Sequence, residues 1–327
     1  MLLVNEHLYH GWGREMNYKE LVDPELKKSA RSIPFNRLIC IAGNVFQEVS
    51  WRQTKVPDSI IEEVIETEGF QGLPLKTSVF SPASGSENKP ALIYVHGGAF
   101  VYKAAAYQKK LACIYAEKAG CKVFLPHYHL SPKYKYPAAY TDVMSLYKYV
   151  ISHADELGVD RKRVGVAGES AGASVAALVC NRCGEEKTLT PCVQMLVYPV
   201  TDAEMATDSM KRFTDTPQWD SRTNEKMWSL YCGNDMKQRC NASPMHCKLP
   251  DELPETYIET AEFDCLHDEG LLYGKKLIDA GSVVTINETK GTFHGYDTVV
   301  DAKIVIRNVE KRIEFLRNGF RTRDERR

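Results

Sequence analysis

The first residues with recognisable chemistry form the sequence Gly168-Glu-Ser170-Ala-Gly172, in which a serine stands between two glycines. The motif directly follows a short apolar run, 164–167, and opens a segment long enough for a helix. A sharp strand-to-helix turn of this kind lifts the serine hydroxyl clear of a sheet and directs the helix N-terminus towards it. The pattern predicts a nucleophilic serine at position 170, and its alternative is a glycine-rich turn without chemistry.

A serine hydroxyl attacks only when a base accepts its proton, so a histidine and an orienting acid are expected elsewhere in the chain. On a sheet with such a turn they follow the serine in the order acid, then histidine, each just beyond a strand. Asp264 and His294 satisfy that order and follow the last two predicted strands. Asp268 and Glu269 are rival acids, but their position at the start of the next predicted helix favours a capping role.

Glycines also follow the first predicted strand, in the sequence HGGAF at 96–100. Acyl transfer needs N–H donors for the negative charge that develops on the substrate oxygen. Because glycine lets the backbone approach that oxygen closely, Gly97, Gly98 and Ala99 are predicted to form an oxyanion hole that the N–H of Ala171 completes. The histidine of this run is expected to hold the loop rather than to act as a base.

From residue 91 onwards, short apolar runs rich in β-branched residues alternate with longer helical segments. The runs do not alternate with polar residues, which is typical of strands buried on both faces. This rhythm predicts an α/β fold with a mostly parallel central sheet flanked by helices. The predicted strands are 91–95, 122–125, 164–167, 192–198, 256–260 and 283–286, and the predicted helices are 104–119, 138–157, 170–183, 268–280 and 299–317.

Two segments fall outside that rhythm and are predicted to lie over the carboxyl ends of the strands, where parallel sheets place their sites. We expect N-terminal cap helices at 1–55, a cap insertion at 201–250, and a catalytic domain at 56–200 and 251–327. Large aromatic side chains of the insertion are expected to form either a small core of the cap or a wall of the substrate pocket. They are Phe213, Trp219, Trp228 and Tyr231.

The overall composition excludes other classes of protein. The chain has 327 residues with 42 Lys+Arg against 43 Asp+Glu, and its formal net charge of -1 excludes a general basic footprint for nucleic acid. No apolar run approaches the ~18 residues that a membrane-spanning helix needs. The first residues lack the basic and apolar regions of a signal peptide. A cytoplasmic protein without a membrane span is therefore expected.

The ten cysteines are interpreted as reduced, mostly buried thiols, as in other cytoplasmic proteins. Two groups partly resemble metal-binding patterns: a C-x-x-C at 180–183, and three cysteines with a histidine between 232 and 247. Neither group has the second C-x-x-C or the histidine pair of a zinc site. No metal and no cofactor are predicted, and a zinc protein is the weakest of the alternatives.

Five motifs occur in the order of one known family: HGGAF at 96–100, YHLSPKYKYPAAYTD at 128–142, GESAG at 168–172, AEFDCLHDEG at 261–270 and TFHGY at 292–296. With these motifs the chain resembles the hormone-sensitive-lipase branch of the α/β-hydrolases, a group of arylacetamide-deacetylase-like and bacterial acetyl-esterase-like enzymes. The resemblance implies the α/β-hydrolase fold with a helical cap. It also implies a serine carboxylesterase that acts on small-molecule esters.

By matching positions, the resemblance implies that Ser170 is the nucleophile, His294 the base and Asp264 its orienting acid. The family usually has glycine where this chain has Ala99, and aspartate is commoner where it has Glu169. The family's usual Arg and Glu are also missing from the second motif. Ala99 retains the N–H but adds a methyl group beside the oxyanion hole.

The leading functional prediction is hydrolysis of short-chain acyl esters, from acetyl to about butyryl or hexanoyl, through an acyl-enzyme intermediate. The first alternative is a catalytically inactive ligand-binding receptor of the same fold, which lacks the working histidine. Because His294 is present, the sequence argues against that alternative. An amidase, deacetylase or lipase with the same triad remains open, as does assembly into a homodimer.

Overall fold

The computed structural model describes residues 17–84 and 88–321, and within them eight strands form a single sheet. The strands are β1 (Ile60–Glu68), β2 (Pro74–Pro82), β3 (Lys89–Val95), β4 (Lys122–Pro126), β5 (Val159–Glu169), β6 (Val193–Val197), β7 (Glu255–Phe263) and β8 (Val284–Phe293). Their order across the sheet is β1-β2-β4-β3-β5-β6-β7-β8. β1 and β2 pair antiparallel with their neighbours, and every pair from β4 to β8 is parallel.

The six predicted strands correspond to β3 through β8, which confirms the mostly parallel sheet. The antiparallel strands β1 and β2 were not predicted. β1 forms one edge of the sheet and carries four glutamates, so it lacks the apolar run that marks a buried strand. Charged side chains are common on edge strands because they prevent pairing with other chains.

Ten α-helices occur in the described part of the chain, and they include the five predicted ones with slightly shifted ends. They are α1 (Tyr18–Leu21), α2 (Arg37–Gln53), α3 (Ala106–Ala119), α4 (Ala138–Ser152), α5 (Ala171–Arg182), α6 (Asp208–Arg212), α7 (Ser221–Cys232), α8 (Met236–Asn241), α9 (His267–Asp279) and α10 (Lys303–Gly319).

The sheet is buried on both faces, and the residues of β3 show how. Ile93 and Val95 belong to the core that α4, α5 and α9 form with one face of the sheet. Leu92 and Tyr94 belong to the core that α3 and α10 form with the other face. Because successive side chains of a strand point to opposite faces, both sets must be apolar, and the strand therefore reads as a continuous apolar run.

The segment 201–250 leaves the sheet after β6, forms α6, α7 and α8, and contains no strand. It contacts the N-terminal segment that carries α1 and α2. Gln218 donates from its backbone N–H to the Arg31 carbonyl (3.0 Å) and from its side chain to the Ser29 carbonyl (2.8 Å). The Tyr18 hydroxyl donates to Asp215 (2.9 Å). The two segments outside the strand–helix rhythm therefore lie side by side.

No helix within residues 17–84 and 88–321 combines the length and the apolar character needed to cross a membrane.

Candidate active site

The Gly-x-Ser-x-Gly motif forms the tight turn between β5 and α5. Ser170 has a left-handed backbone (φ 52°, ψ -123°), and its N–H donates to the carbonyl of Val197 on β6 (2.9 Å). A Cβ atom at Gly168 would overlap the backbone of Gly172, and one at Gly172 would overlap the carbonyl of Val95. Only glycine allows the strand and helix to approach this closely, which explains both glycines of the motif.

The structure brings the predicted nucleophile, base and acid together. Nε2 of His294 lies 2.8 Å from Oγ of Ser170, and Nδ1 of the same ring lies 2.7 Å from Oδ2 of Asp264. Asp264 follows β7, His294 follows β8, and all three side chains are buried. The second carboxylate oxygen of Asp264 accepts the N–H of Leu266 (3.0 Å), which fixes the carboxylate plane. The arrangement is that of a Ser-His-Asp triad.

The rival acids have other partners. Oδ1 of Asp268 lies 2.9 Å from Nδ1 of its neighbour His267, and Oδ2 accepts the N–H of Ser209 (2.7 Å). The hydrogen bond to His267 lowers the pKa of Asp268. Glu269 accepts the N–H of Thr201 (2.6 Å) and anchors the start of the 201–250 segment. Neither carboxylate is hydrogen-bonded to His294.

The predicted oxyanion loop follows β3 beside the serine. Gly98 has a φ of 119° and Ala99 a φ of 56°, so the backbone reverses sharply there. Gly97, Gly98 and Ala99 line the same cavity as Ser170. Ala171 is the first residue of α5, so its N–H has no acceptor within the helix. These backbone N–H groups are the available donors for an oxyanion.

His96 supports this loop from behind. Its ring stacks on that of Tyr128 with centroids 4.3 Å apart, and its Nδ1 lies 2.7 Å from the carbonyl oxygen of Gly97. Burial lowers the pKa of His96 to about 3, so the ring stays neutral over the physiological range. The structure places it in a packing position, as the sequence analysis expected.

A cavity of about 420 Å³ opens onto Ser170 and His294, and it contains no Asp, Glu, Lys or Arg among its described lining residues. A larger groove of about 740 Å³ lies between α3 and α10 and touches none of the triad. The first cavity is lined by Ile33, Pro34, Phe35, Ile39, Gly43, Phe46, Gln47, Gly97, Gly98, Ala99, Tyr102, Tyr107, Ser170, Tyr198, Gln218, Trp219, Thr223, His294, Gly295 and Thr298.

Of the four aromatic residues considered for the pocket wall, only Trp219 lines this cavity. Its ring centroid lies 5.9 Å from that of His294. Phe213, Trp228 and Tyr231 instead pack in the apolar core, and the ring of Tyr231 stacks on Phe100 of the oxyanion loop at 3.6 Å. Of the two roles that the sequence left open, these three side chains take the core role and do not line the cavity. Trp228 and Tyr231 lie on α7 and pack towards Phe100 of the oxyanion loop.

The N-terminal segment was expected over the site, but its individual cavity-lining residues were not named from the sequence. The segment around α2 contributes Ile33, Phe35, Ile39 and Phe46, which the sequence marks only as apolar residues in a helical stretch. Because this segment is far from the motifs in sequence, no spacing rule connects it to the serine.

Tyr198 was also missed, although it follows directly after β6. Its ring packs edge-on against His294 with centroids 4.6 Å apart, and its hydroxyl donates to Asp297 (2.6 Å). Asp297 in turn accepts from the fully buried Arg312 (3.0 Å), which also forms an ion pair with Glu259 on β7. The histidine therefore packs against a tyrosine that a buried ionic cluster holds in place.

Glu169, the residue before the serine, is buried among donors. Tyr94 donates to one carboxylate oxygen (2.9 Å), and Tyr107 and Gln108 donate to the other. Burial and the negative charge of Asp297 raise the pKa of Glu169 to about 7, despite these hydrogen bonds. Because Tyr107 lines the cavity, this carboxyl group links the nucleophile turn to the cavity wall.

Comparison with known proteins agrees with this geometry. The profile of one protein family, described as alpha/beta hydrolase fold, matches residues 92–298. Ethyl acetate hydrolase of Pseudomonas putida is 28% identical over 244 residues, which cover 73% of this chain and 76% of that protein. Carboxylesterase NlhH of Mycobacterium tuberculosis is 29% identical over 284 residues, 84% of this chain and 88% of that protein. A solved structure, bacterial heroin esterase, matches with a TM-score of 0.85 and 27% identity, over 93% of this chain and 99% of that chain.

The sheet order, the serine turn and these relatives together define a carboxylic ester hydrolase. The chain belongs to the α/β-hydrolase fold family, in its hormone-sensitive-lipase-like branch. The predictions of family, fold and enzyme class are confirmed.

Proposed function

We propose that the protein is a serine carboxylesterase that works through an acyl-enzyme intermediate. The observation that carries this proposal is the continuous hydrogen-bonded series from Ser170 through His294 to Asp264. Oγ of Ser170 bonds to the acyl carbon while Nε2 of His294 accepts its proton, and the carbonyl electron pair moves onto the oxygen. The N–H groups of Gly98, Ala99 and Ala171 stabilise that oxyanion.

The intermediate then collapses, and the bond to the alcohol oxygen breaks as His294 returns its proton to this leaving group. Water enters, loses a proton to the same ring and attacks the acyl carbon, which releases the acid and restores Ser170. Asp264 keeps the ring in the required tautomer and stabilises the imidazolium. The reaction consumes one water per ester and needs no cofactor.

The substrate class follows from the cavity. A volume of about 420 Å³ lined by uncharged residues suits a small neutral ester rather than a charged one. Aromatic side chains surround the serine, so an apolar or aromatic group on the alcohol side finds favourable contacts. The relatives named as ethyl acetate hydrolase and carboxylesterase support a short acyl group.

The N-terminal segment and the 201–250 insertion act as the cap of this catalytic domain. Residues from both, including Phe35, Phe46 and Trp219, line the cavity, and the ring of Phe35 packs edge-on against Trp219 at 5.6 Å. The part of the predicted 1–55 cap that precedes residue 17, and the end of the catalytic domain beyond residue 321, lie outside the described residues.

A cytoplasmic location is supported by the cysteine content, because seven of the ten cysteines are buried, as is typical of reduced thiols that serve packing. A homodimer is supported by the exposed edge of the sheet at β8, where Ile286 is 40% exposed and Val283, just before the strand, is 68% exposed. Sedimentation at several protein concentrations tests the dimer, and a monomer at every concentration contradicts it.

The catalytic proposal is tested with p-nitrophenyl acetate. The wild-type protein should turn it over, and Ser170→Ala or His294→Ala should lower turnover on the order of 10⁶-fold with little change in melting temperature. Mass spectrometry of a rapidly quenched reaction should find the acetyl group on the peptide that contains Ser170. A protein that binds esters without turnover would instead be the inactive receptor, and equal rates on esters and anilides would indicate an amidase.

A further inference from the structure

A second group of reactive side chains lies where the 201–250 insertion begins and ends. The turn after β6 meets the 3-10 turn Pro244–His246, and two hydrogen bonds join them. The N–H of Met245 donates to the carbonyl of Thr201 (3.0 Å), and the N–H of Ala203 donates to the hydroxyl of Ser243 (3.0 Å). These bonds hold the two turns next to each other.

Three metal-ligating side chains converge at this junction. Glu204, Cys240 and His246 each offer one ligand atom, and the three atoms all lie within 4.8 Å of one another. Nε2 of His246 lies 3.7 Å from the Glu204 carboxylate and 3.0 Å from Asp202. None of these four residues lines the catalytic cavity, so the proposed triad does not account for them.

The donor types decide which ion would fit. A thiolate, an imidazole and a carboxylate together are typical of zinc, whereas magnesium and calcium prefer oxygen donors alone. Bond lengths of about 2.0–2.3 Å place the ligand atoms of a tetrahedral zinc site about 3.3–3.7 Å apart. The observed separations therefore need only a small inward movement of side chains that are partly exposed.

We propose that Glu204, Cys240 and His246 bind one zinc ion, with the fourth position open to water or to the Asp202 carboxylate, which faces Nε2 of the same imidazole at 3.0 Å. The ion would cross-link the two ends of the insertion and so stabilise the segment that places Trp219 in the cavity wall. The proposal differs from the sequence prediction of no metal, because Glu204 lies 36 residues before Cys240 and so outside any recognised zinc spacing. The role is structural, and hydrolysis does not pass through the metal.

The test is zinc content and zinc-dependent stability of untagged, full-length protein dialysed against micromolar zinc. The wild type should retain one zinc per chain, and so should Ser170→Ala, because binding is independent of catalysis. Cys240→Ser and His246→Gln should retain none. The matched control is Cys247→Ser, a partly exposed thiol in the same region that lies outside the cluster. Zinc at about 100 times its dissociation constant should raise the melting temperature of the wild type by a few degrees, but not that of the two cluster variants.

Absence of bound zinc in the wild type would overturn the proposal and leave His246 as an ion-pair partner of its two carboxylates. Retention of zinc by both cluster variants would also overturn it, since the ion would then be bound elsewhere. Cobalt provides a measurement that needs no variant: the wild type loaded with cobalt should show a thiolate-to-metal charge-transfer band in the near ultraviolet. A cobalt complex without that band contradicts the thiolate ligand.

Discussion

The sharpest prediction concerns the two tryptophans of the insertion, which the structure places in different roles. Trp219 lines the cavity beside His294, whereas Trp228 is fully buried in the core below the oxyanion loop. Replacing Trp219 by leucine removes about six side-chain heavy atoms from the wall, enough room for roughly two or three methylenes of substrate. Each methylene of the substrate that fits into this room changes the discrimination between long and short acyl chains by ~1–3 kcal/mol.

Two additional methylenes at the lower value amount to about 2 kcal/mol, or about 30-fold in kcat/KM. We therefore expect Trp219→Leu to raise the ratio of kcat/KM for octanoyl over butyryl esters by ~10- to 100-fold. The assay is initial-rate kinetics on p-nitrophenyl esters of increasing acyl length, with a second series of acetate esters of increasing alcohol size. A shift in the first series alone assigns Trp219 to the acyl side, and a shift in the second alone assigns it to the alcohol side.

Trp228→Leu is the matched control, because it removes the same atoms from a site that does not touch the cavity. It should destabilise the protein by a few kcal/mol through the void it leaves in the core, while the chain-length profile stays unchanged. The reasoning is refuted if neither series changes in Trp219→Leu, or if Trp228→Leu shifts the profile equally. Thermal melts of both variants ensure that the rates belong to folded protein.

The other predictions test single contacts of the site. Asp264→Asn should lower turnover roughly 10⁴-fold by favouring the wrong histidine tautomer, whereas Asp268→Asn should leave kcat within a few-fold; the reverse order in steady-state kinetics would reassign the acid. Ala99→Gly should raise the free energy of unfolding by about 1 kcal/mol in denaturant titrations, because a left-handed φ of 56° disfavours alanine, and a loss of stability would contradict this. The pKa of Glu169 is raised from 4.5 to about 7, so the folded state holds a proton that the unfolded state releases. Stability should thus fall by up to about 3 kcal/mol as pH rises from about 4.5 to 7, and this part of the pH dependence should vanish in Glu169→Gln.

The parallel part of the sheet could be predicted because burial on both faces leaves a local signature, an apolar run such as 91–95. The proximity of the candidate site residues could be predicted for a related reason. A parallel sheet brings the carboxyl ends of its strands to one edge, so Ser170, Asp264 and His294 each stand just past a strand. The order of these residues along the chain is then enough to predict that they lie close together in space.

The cavity wall could not be predicted in the same way, because its members are joined by packing and not by sequence order. Trp219 and Trp228 are both buried aromatic residues of one insertion. Nothing in the sequence around them shows which one lines the cavity and which one packs in the core. The face of α7 on which Trp228 lies determines its role. Trp228 and Tyr231 are three residues apart, so they share one face of the helix, and both pack against Phe100. The edge strand β1 was missed for the opposite reason, since its glutamates conceal a strand that pairs over its whole length with β2.

Backbone strain connects these observations. Local preferences disfavour positive φ for any residue but glycine, yet Ala99, Ser170, Tyr198 and Gln218 all adopt it and all line the cavity. Such conformations persist only where the surroundings impose them, and here they do. Val197 accepts the N–H of Ser170, and the carbonyl of Glu259 accepts that of Tyr198 at 2.6 Å. Ser170 and Tyr198 are thus held by β6 and β7, two central strands of the sheet, whereas Gln218 is held by its hydrogen bonds to Arg31 and Ser29 of the N-terminal segment. This also explains why the sheet could be predicted from the sequence while its cavity could not. The strands adopt the backbone conformations that their residues prefer locally, whereas several cavity residues adopt conformations that only the surrounding fold imposes.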